Sequence, residues 1–281
     1  MSEAVADLIE RLSGPLSFYW PIAAAAAVLA VITKRERIFS AMAAVRAEFT
    51  TNLLIALFNT LLMAQLLVLP SVWINEFAVA PQFLVKFWQG QPEILQLIAA
   101  VFVIDFTAYW RHRLEHTRLL WPIHATHHAD TRLHWLSVLR KHPLGFALSA
   151  LTDALLAIVL GLPLGVIALA TIFRTWWGFF IHADVDWTLG LFGLLFISPA
   201  AHRLHHIRDE RLMGSNYGNT VTLWDKLFGT YVDPEPYRNC ETGIEEGTRN
   251  VIGELWRPFE RRYWGRKKRP EFEQLPFDSQ S

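Results

Sequence analysis

The chain has 281 residues, 26 basic and 26 acidic side chains, and one cysteine. Zero net charge removes the basic field that nucleic-acid binding needs; a lone Cys240 excludes an internal disulfide, a CxxC redox pair and a cysteine-rich zinc site. Hydrophobic residues at 52% against 19% charged, with a mean hydropathy of +0.23, exclude an ordinary soluble domain and point to a membrane protein.

In chain order, the opening MSEAVADLIERL carries acids and no basic leader, so no cleavable signal peptide is expected. A membrane span needs about 20 largely apolar residues. Residues 16–33 carry no charge and stop at KRER; residues 49–75 carry none either. Residues 94–110 run apolar through Asp105 into RHR. Residues 144–182 hold only Asp153 and Arg174 as charges, and the breaker GLPLG at 161–165 predicts a helical hairpin with those two charges facing each other or bracing the site. WTLGLFGLLFISP at 187–199 is too short to cross and suits an interfacial piece. Lys34, Arg35, Arg37 and Arg46 put a 34–48 loop in the cytoplasm. Three crossings then bring all eleven histidines to one face. RRYWGRKKRP at 261–270 reads as a headgroup-binding or a solvated segment.

The expected fold is an all-α integral membrane protein: about three transmembrane helices plus a helical hairpin, under a cytoplasmic histidine-rich helical cap. Residues 1–93 form the N-terminal transmembrane helices, 94–233 a histidine-box core containing the 144–182 hairpin, and 234–281 a polar C-terminal tail.

The histidines carry the chemistry. HRLEH supplies His112 and His116, HATHH supplies His124, His127 and His128, and HRLHH supplies His202, His205 and His206. Positions i, i+3 and i+4 share a helix face, so HxxxH aims two imidazoles one way and HxxHH aims three. Eight nitrogen donors exceed what one tetrahedral zinc takes and suit two metals in one site. Imidazole alone does not name the metal. Asp105, Tyr109, His112 and His116 line one stripe, so Asp105 is expected to accept the far N–H of a ligand histidine. Tyr109 reads either as a part of the site or as an interfacial anchor. His142 and His182 sit at the two ends of the hairpin; His134 alone reads as a satisfied polar residue.

These residues resemble the fatty acid hydroxylase / sterol desaturase superfamily of membrane di-iron oxygenases. DFTAYWRHRLEH (105–116), LLWPIHATHH (119–128) and SPAAHRLHH (198–206) are similar to its three boxes, LRKHP (139–143) and FIHADV (181–186) to its single-histidine signatures, and NYGNTVTLWDKLFGTY (216–231) to its trailing signature. The resemblance implies metal ligation by His112, His116, His124, His127, His128, His182, His202, His205 and His206, with His142 a weaker candidate. Asp105, Tyr109, Asn216, Tyr217 and Asp225 are the supporting candidates. It implies two ferrous ions, for which zinc could substitute, and O2-dependent hydroxylation or desaturation of a lipid C–H bond. FRTWWGFF (173–180) would offer aromatic bulk to the substrate, or else pack in the core or face the membrane. No GxGxxG or haem module is present, so a separate reductase, ferredoxin or cytochrome is expected to deliver electrons. The expected location is a bacterial inner membrane, or the endoplasmic reticulum in a eukaryote. Two rivals are a metal transporter, which would string ionisable groups through its spans, and a zinc hydrolase, which would want HExxH.

Overall fold

The computed structural model describes residues 3–265, so residues 266–270 of the basic C-terminal stretch lie outside it. The described residues form helices and no β-strand; two isolated bridges pair Phe196 with Val221 and Ile207 with Thr242. Helices α1 (Glu3–Lys34) and α2 (Ile38–Phe58) are joined by the 3-10 turn Arg35–Arg37. The chain turns there, with Arg35 in the left-handed region at φ 47°, and Tyr19 hydrogen-bonds Thr60 across the pair. The expected 34–48 loop is therefore only a three-residue turn. Residues 38–48 contain neither proline nor glycine, so nothing stops the next helix from starting at once.

Helix α2 continues through a π-helical segment, Asn59–Met63, into α3 (Ala64–Leu66), α4 (Val68–Phe77) and α5 (Gln82–Gln89). Helix α6 (Glu93–Glu115) starts after Pro92 and outruns its apolar stretch by more than a turn, which carries His112 into its last turn. A short α7 (Trp121–His124) follows, then the hairpin: α8 (Pro143–Thr152) and α9 (Leu155–Val159) lead in, α10 (Leu164–Ile181) leads back. Gly161 makes the hairpin turn at φ 78°, where a Cβ would lie 2.9 Å from the Val85 backbone nitrogen. Helices α11 (Pro199–His205), α12 (Leu223–Leu227), α13 (Val251–Trp256) and α14 (Arg261–Gly265) complete the chain.

Ser17–Leu66, α6 and α10 are long and apolar enough to cross a membrane; the first hairpin limb is shorter and split. Helices α6, α9 and α10 pack through Ala100, Ile104, Ala157, Ile167 and Ala170, of which the three alanines let helices approach closely. Leu53, Leu57 and Leu61 of the first stretch and Leu169, Phe173 and Trp176 of α10 are exposed, as lipid-facing side chains are. Residues 187–199 hold a 3-10 turn with Leu191 and Phe192 exposed, consistent with an interfacial piece. Within the described part of the C-terminal segment, Glu254, Arg257 and Tyr263 are buried.

Candidate metal centre

The histidines converge from five places. His112 and His116 sit at the C-terminal end of α6, and His124 ends α7. His127 and His128 lie in the 3-10 turn His127–Ala129, so the second box is a helical turn tightening into 3-10 and not one continuous helix. His182 caps the C-terminus of α10. His202 and His205 ride on α11, started by Pro199 and by Ser198, whose Oγ accepts from Ala201 N, and His206 caps its end.

Nine imidazoles fall into two groups, with the ligand atoms of each group within 4.8 Å of one another. One group is His112, His116, His124, His128 and His205; the other is His127, His182, His202 and His206. The groups adjoin: the rings of His128 and His206 stack at 4.3 Å. This corrects the expectation that HxxHH aims three rings one way. In each HxxHH the first and last histidines go to one group and the middle one to the other. Residues i and i+4 differ by about 40° around a helix, whereas i+3 and i+4 differ by about 100°.

Geometry fits metal. Nε2 of His128 lies 3.1 Å from Nε2 of both His116 and His124, and Nε2 of His202 lies 2.9 Å from that of His182 and 3.2 Å from that of His206. Imidazole nitrogens about 2.1 Å from a shared ion stand about 3.0 Å apart at right angles and about 3.4 Å apart at tetrahedral angles. The observed spacings fall within reach of a shared ion, and the group of five offers more donors than a tetrahedral ion takes. Nε2 of His112 is buried with no hydrogen-bond partner, as a waiting ligand atom would be. Burial, reinforced by neighbouring imidazoles, holds His127, His128, His202 and His206 well below the usual imidazole pKa, which keeps them in the neutral form that binds metal.

Backbone carbonyls set the orientation of three of the nine rings. Nδ1 of His112 donates to Tyr217 O at 2.9 Å, Nδ1 of His205 to Ser215 O at 2.7 Å, and Nδ1 of His182 to Gly178 O at 2.7 Å. A carbonyl only accepts, so Nδ1 carries the proton and Nε2 keeps its lone pair. His124 Nδ1 stands 3.3 Å from the buried carboxylate of Glu115, which Arg111 also holds at 2.7 Å. Ser215, Gly178 and Glu115 were not singled out for these roles by sequence. Only Glu115, an acid inside a histidine box, left a signal there.

The supporting candidates fall into place differently from expectation. Asp105 accepts from Arg174 at 3.1 and 3.2 Å and from the backbone N–H groups of Thr220 and Val221, not from a histidine. Asp153 pairs with Arg111 at 2.5 Å, so the expected Asp153–Arg174 pair does not form. Tyr109 is fully buried, 2.9 Å from Thr230 Oγ1, and no interfacial anchor. Asp225 accepts from Tyr217 N, Gly218 N and Thr230 Oγ1 at 2.7–2.8 Å and so fixes the strand of chain whose carbonyl holds His112. Asn216, left-handed at φ 51°, exchanges two hydrogen bonds with Val232. His142 is not brought to the cluster: Nδ1 accepts from Leu144 N and Nε2 donates to Leu255 O, so both nitrogens are used. His134 likewise lies apart, beside Asn52.

A cavity of about 370 Å³ opens onto both groups, touching His112, His124, His127, His182 and His202. Its walls come from α6 and the hairpin, joined by Tyr19, Ala56, Asn59 and Thr60 of the first membrane stretch, and they are not simply apolar. Helix α10 contributes Arg174, Thr175 and Gly178, and none of the rings in FRTWWGFF lines the cavity.

Fold and centre together mark a helical membrane protein with an all-imidazole site suited to metal. Residues 97–230 match the family model for fatty acid hydroxylase, and the chain carries this domain of the fatty acid hydroxylase / sterol desaturase superfamily. It is 31% identical over 185 residues to ornithine lipid hydroxylase of Rhizobium tropici, covering 65% of this chain and 55% of that one. It is 33% identical over 129 residues to human alkylglycerol monooxygenase (46% and 28%) and 30% identical over 149 residues to rat lathosterol oxidase (51% and 47%). The chain thus spans about half or less of the length of these relatives. No solved structure gives a significant match.

Proposed function

We propose that this protein is a membrane-bound di-iron oxygenase that hydroxylates or desaturates a lipid at an unactivated C–H bond, using O2 and electrons from a separate reductase, ferredoxin or cytochrome. The observation that carries the reading is the pair of adjoining imidazole groups opening onto one cavity. The names of the relatives, which concern an ornithine lipid, an alkylglycerol and lathosterol, support a lipid substrate. Iron is proposed from the family resemblance, and the five-histidine group exceeds a tetrahedral zinc shell, although zinc could substitute. When bound, two ferrous ions would supply O2 activation and hydrogen removal from carbon.

The chain's own residues do the rest. His112, His116, His124, His128 and His205 hold one ion, and His127, His182, His202 and His206 the other. The carbonyls of Tyr217, Ser215 and Gly178 keep three of these rings in the metal-binding tautomer. The α2, α6 and hairpin walls exclude water and orient the lipid. The basic turn at Lys34–Arg37 supports a cytoplasmic active-site face, in a bacterial inner membrane or, in a eukaryote, the endoplasmic reticulum. The histidines gather at the ends of α6 and α10 and are not strung along them, which speaks against a transport relay.

The test is metal analysis of anaerobically purified protein, followed by O2-dependent turnover and mass spectrometry of membrane lipids. About two irons per chain are expected, falling to about one in H112Q and in H206Q, with an added oxygen or a lost hydrogen pair in the lipid. Iron uptake that survives replacement of His127, His128, His205 and His206 together would sink the ligand assignment.

A further inference from the structure

A second cavity, of about 560 Å³, lies between α1 and α2 and shares no lining residue with the cavity at the histidines. Its walls are apolar. Ala23, Ala27 and Ala30 line it from α1, and Met42, Val45 and Phe49 from α2, each set at the three- and four-residue spacing of one helix face. Alanine faces let helices close on each other. Here the two helices are held apart by anchors to different parts of the protein. Helix α1 is tied to α10 through the Tyr19–Phe179 ring contact at 6.0 Å and to Asp184 through Lys34 at 2.6 Å. Helix α2 is tied to the segment that leaves the second histidine box, where Glu48 accepts from Thr131 N at 2.9 Å and Asn52 donates to Asp130 at 2.7 Å. The gap is therefore built into the fold, and its size falls within the range of about 300–1,000 Å³ typical of small-molecule sites.

The charges on this groove are one-sided. Lys34, Arg46 and Asp184 line it. Asp184 is already held by Lys34 and, at 2.8 Å, by Arg203, so the one carboxylate is outnumbered. The Arg46 guanidinium, exposed on α2, makes no hydrogen bond or ion pair among the described residues. Arg35 and Arg37, against Glu36, add positive charge at the turn that joins the two helices. Both walls belong to the stretch Ser17–Leu66, which is apolar enough to lie in a membrane, so acyl chains are the apolar material at hand. Apolar walls call for a hydrocarbon chain, and an unmet guanidinium calls for a phosphate.

We propose that the groove between α1 and α2 holds one anionic phospholipid of the surrounding bilayer, its acyl chain between the two apolar faces and its phosphate on Arg46. The groove stands apart from the histidines, so this lipid is a bound component of the fold and not the molecule oxidised.

The test counts bound lipid without turnover, so it is independent of the oxygenase reading. The full chain, delipidated in detergent, is incubated with phosphatidylglycerol and phosphatidylcholine of the same acyl chains, and retained lipid is read by native mass spectrometry. One phosphatidylglycerol per chain should be retained in preference to phosphatidylcholine. R46Q should lower that preference about fivefold, the worth of one basic side chain near an anionic headgroup, and R46K should keep most of it. R37Q removes an exposed arginine that does not line the groove and should leave the preference unchanged. A30F should abolish retention of both lipids by filling the groove, whereas A25F, at an exposed position of α1 that does not line it, should not. Unaltered thermal midpoints in lipid-free R46Q and A30F would exclude a folding defect. Equal retention of the two lipids by the parent would overturn the proposal. So would a loss in R37Q as large as that in R46Q, which would reduce the effect to general surface charge, or retention in A30F equal to that in A25F. A lipid-free dimer that A30F dissociates would hand the groove to a second copy of the chain and overturn it too.

Discussion

Arg140 offers the sharpest test of how the centre is held. Its side chain is fully buried and joins three parts of the protein. Nε donates to Thr126 O at 2.7 Å, inside the second histidine box; Nη1 donates to Asn52 Oδ1 on α2 and to Asp130 Oδ1 at 2.9 Å; Nη2 meets Glu254 on α13 at 2.5 Å. In R140M, Glu254 keeps Arg257 and the Arg249 N–H, but fully buried Asp130 keeps only Asn52 Nδ2 at 2.7 Å. An uncompensated buried carboxylate costs about 3–5 kcal/mol, or a fall of roughly 6–15 °C in unfolding midpoint. D130N should cost less, about 1–2 kcal/mol, because Arg140 retains Glu254. The double variant carries no stranded charge at position 130, so it should be at least about 1 kcal/mol more stable than additivity requires. The assay is denaturation of the four proteins in one detergent, with iron content alongside. Additivity within about 0.5 kcal/mol would refute the reasoning, since the cost would then not come from a stranded Asp130.

Further outcomes follow from other contacts. Gly218→Ala would put a Cβ 2.5 Å from Val221 O and 2.9 Å from Asp225 Oδ2, so folded yield and iron content should both drop sharply on size-exclusion and metal analysis. Burial pushes the Cys240 thiol up to about 11. At pH 8 roughly one part in a thousand is thiolate, so alkylation by iodoacetamide should run roughly a hundred-fold or more slower than for a free cysteine and should rise tenfold per pH unit up to pH 10. Tyr109→Phe removes the Thr230 hydrogen bond but leaves the ring stacked on Phe228, so stability should fall by about 0.5–1.5 kcal/mol in a denaturant titration while iron content stays.

Much of the fold was legible in the sequence because its cause is local. Uninterrupted apolar length marked 16–33, 49–75, 94–110 and 144–182, and GLPLG marked the hairpin turn; the structure has apolar helices over 17–66, 93–115 and 164–181. The expected 34–48 loop shrinks to the turn Arg35–Arg37 because lysine and arginine are good helix formers and a left-handed Arg35 suffices to turn the chain.

For the centre, the sequence by itself determined eight candidate imidazoles, since repeated HxxxH and HxxHH spacings are a property of one helical turn; the ninth, His182, came from the resemblance to the family. It did not determine which ion each would serve. Tertiary structure decided that, by crossing α11 against the second box so that each triplet divides, and by setting His182 opposite His202. It also removed His142, whose two nitrogens close a helix cap and a contact to α13. Tertiary structure likewise chose the acceptors that orient the rings. Three of these are main-chain carbonyls, which every residue possesses and no residue type announces; only the folded path of 215–217 and of α10 brings them within 3 Å of an imidazole.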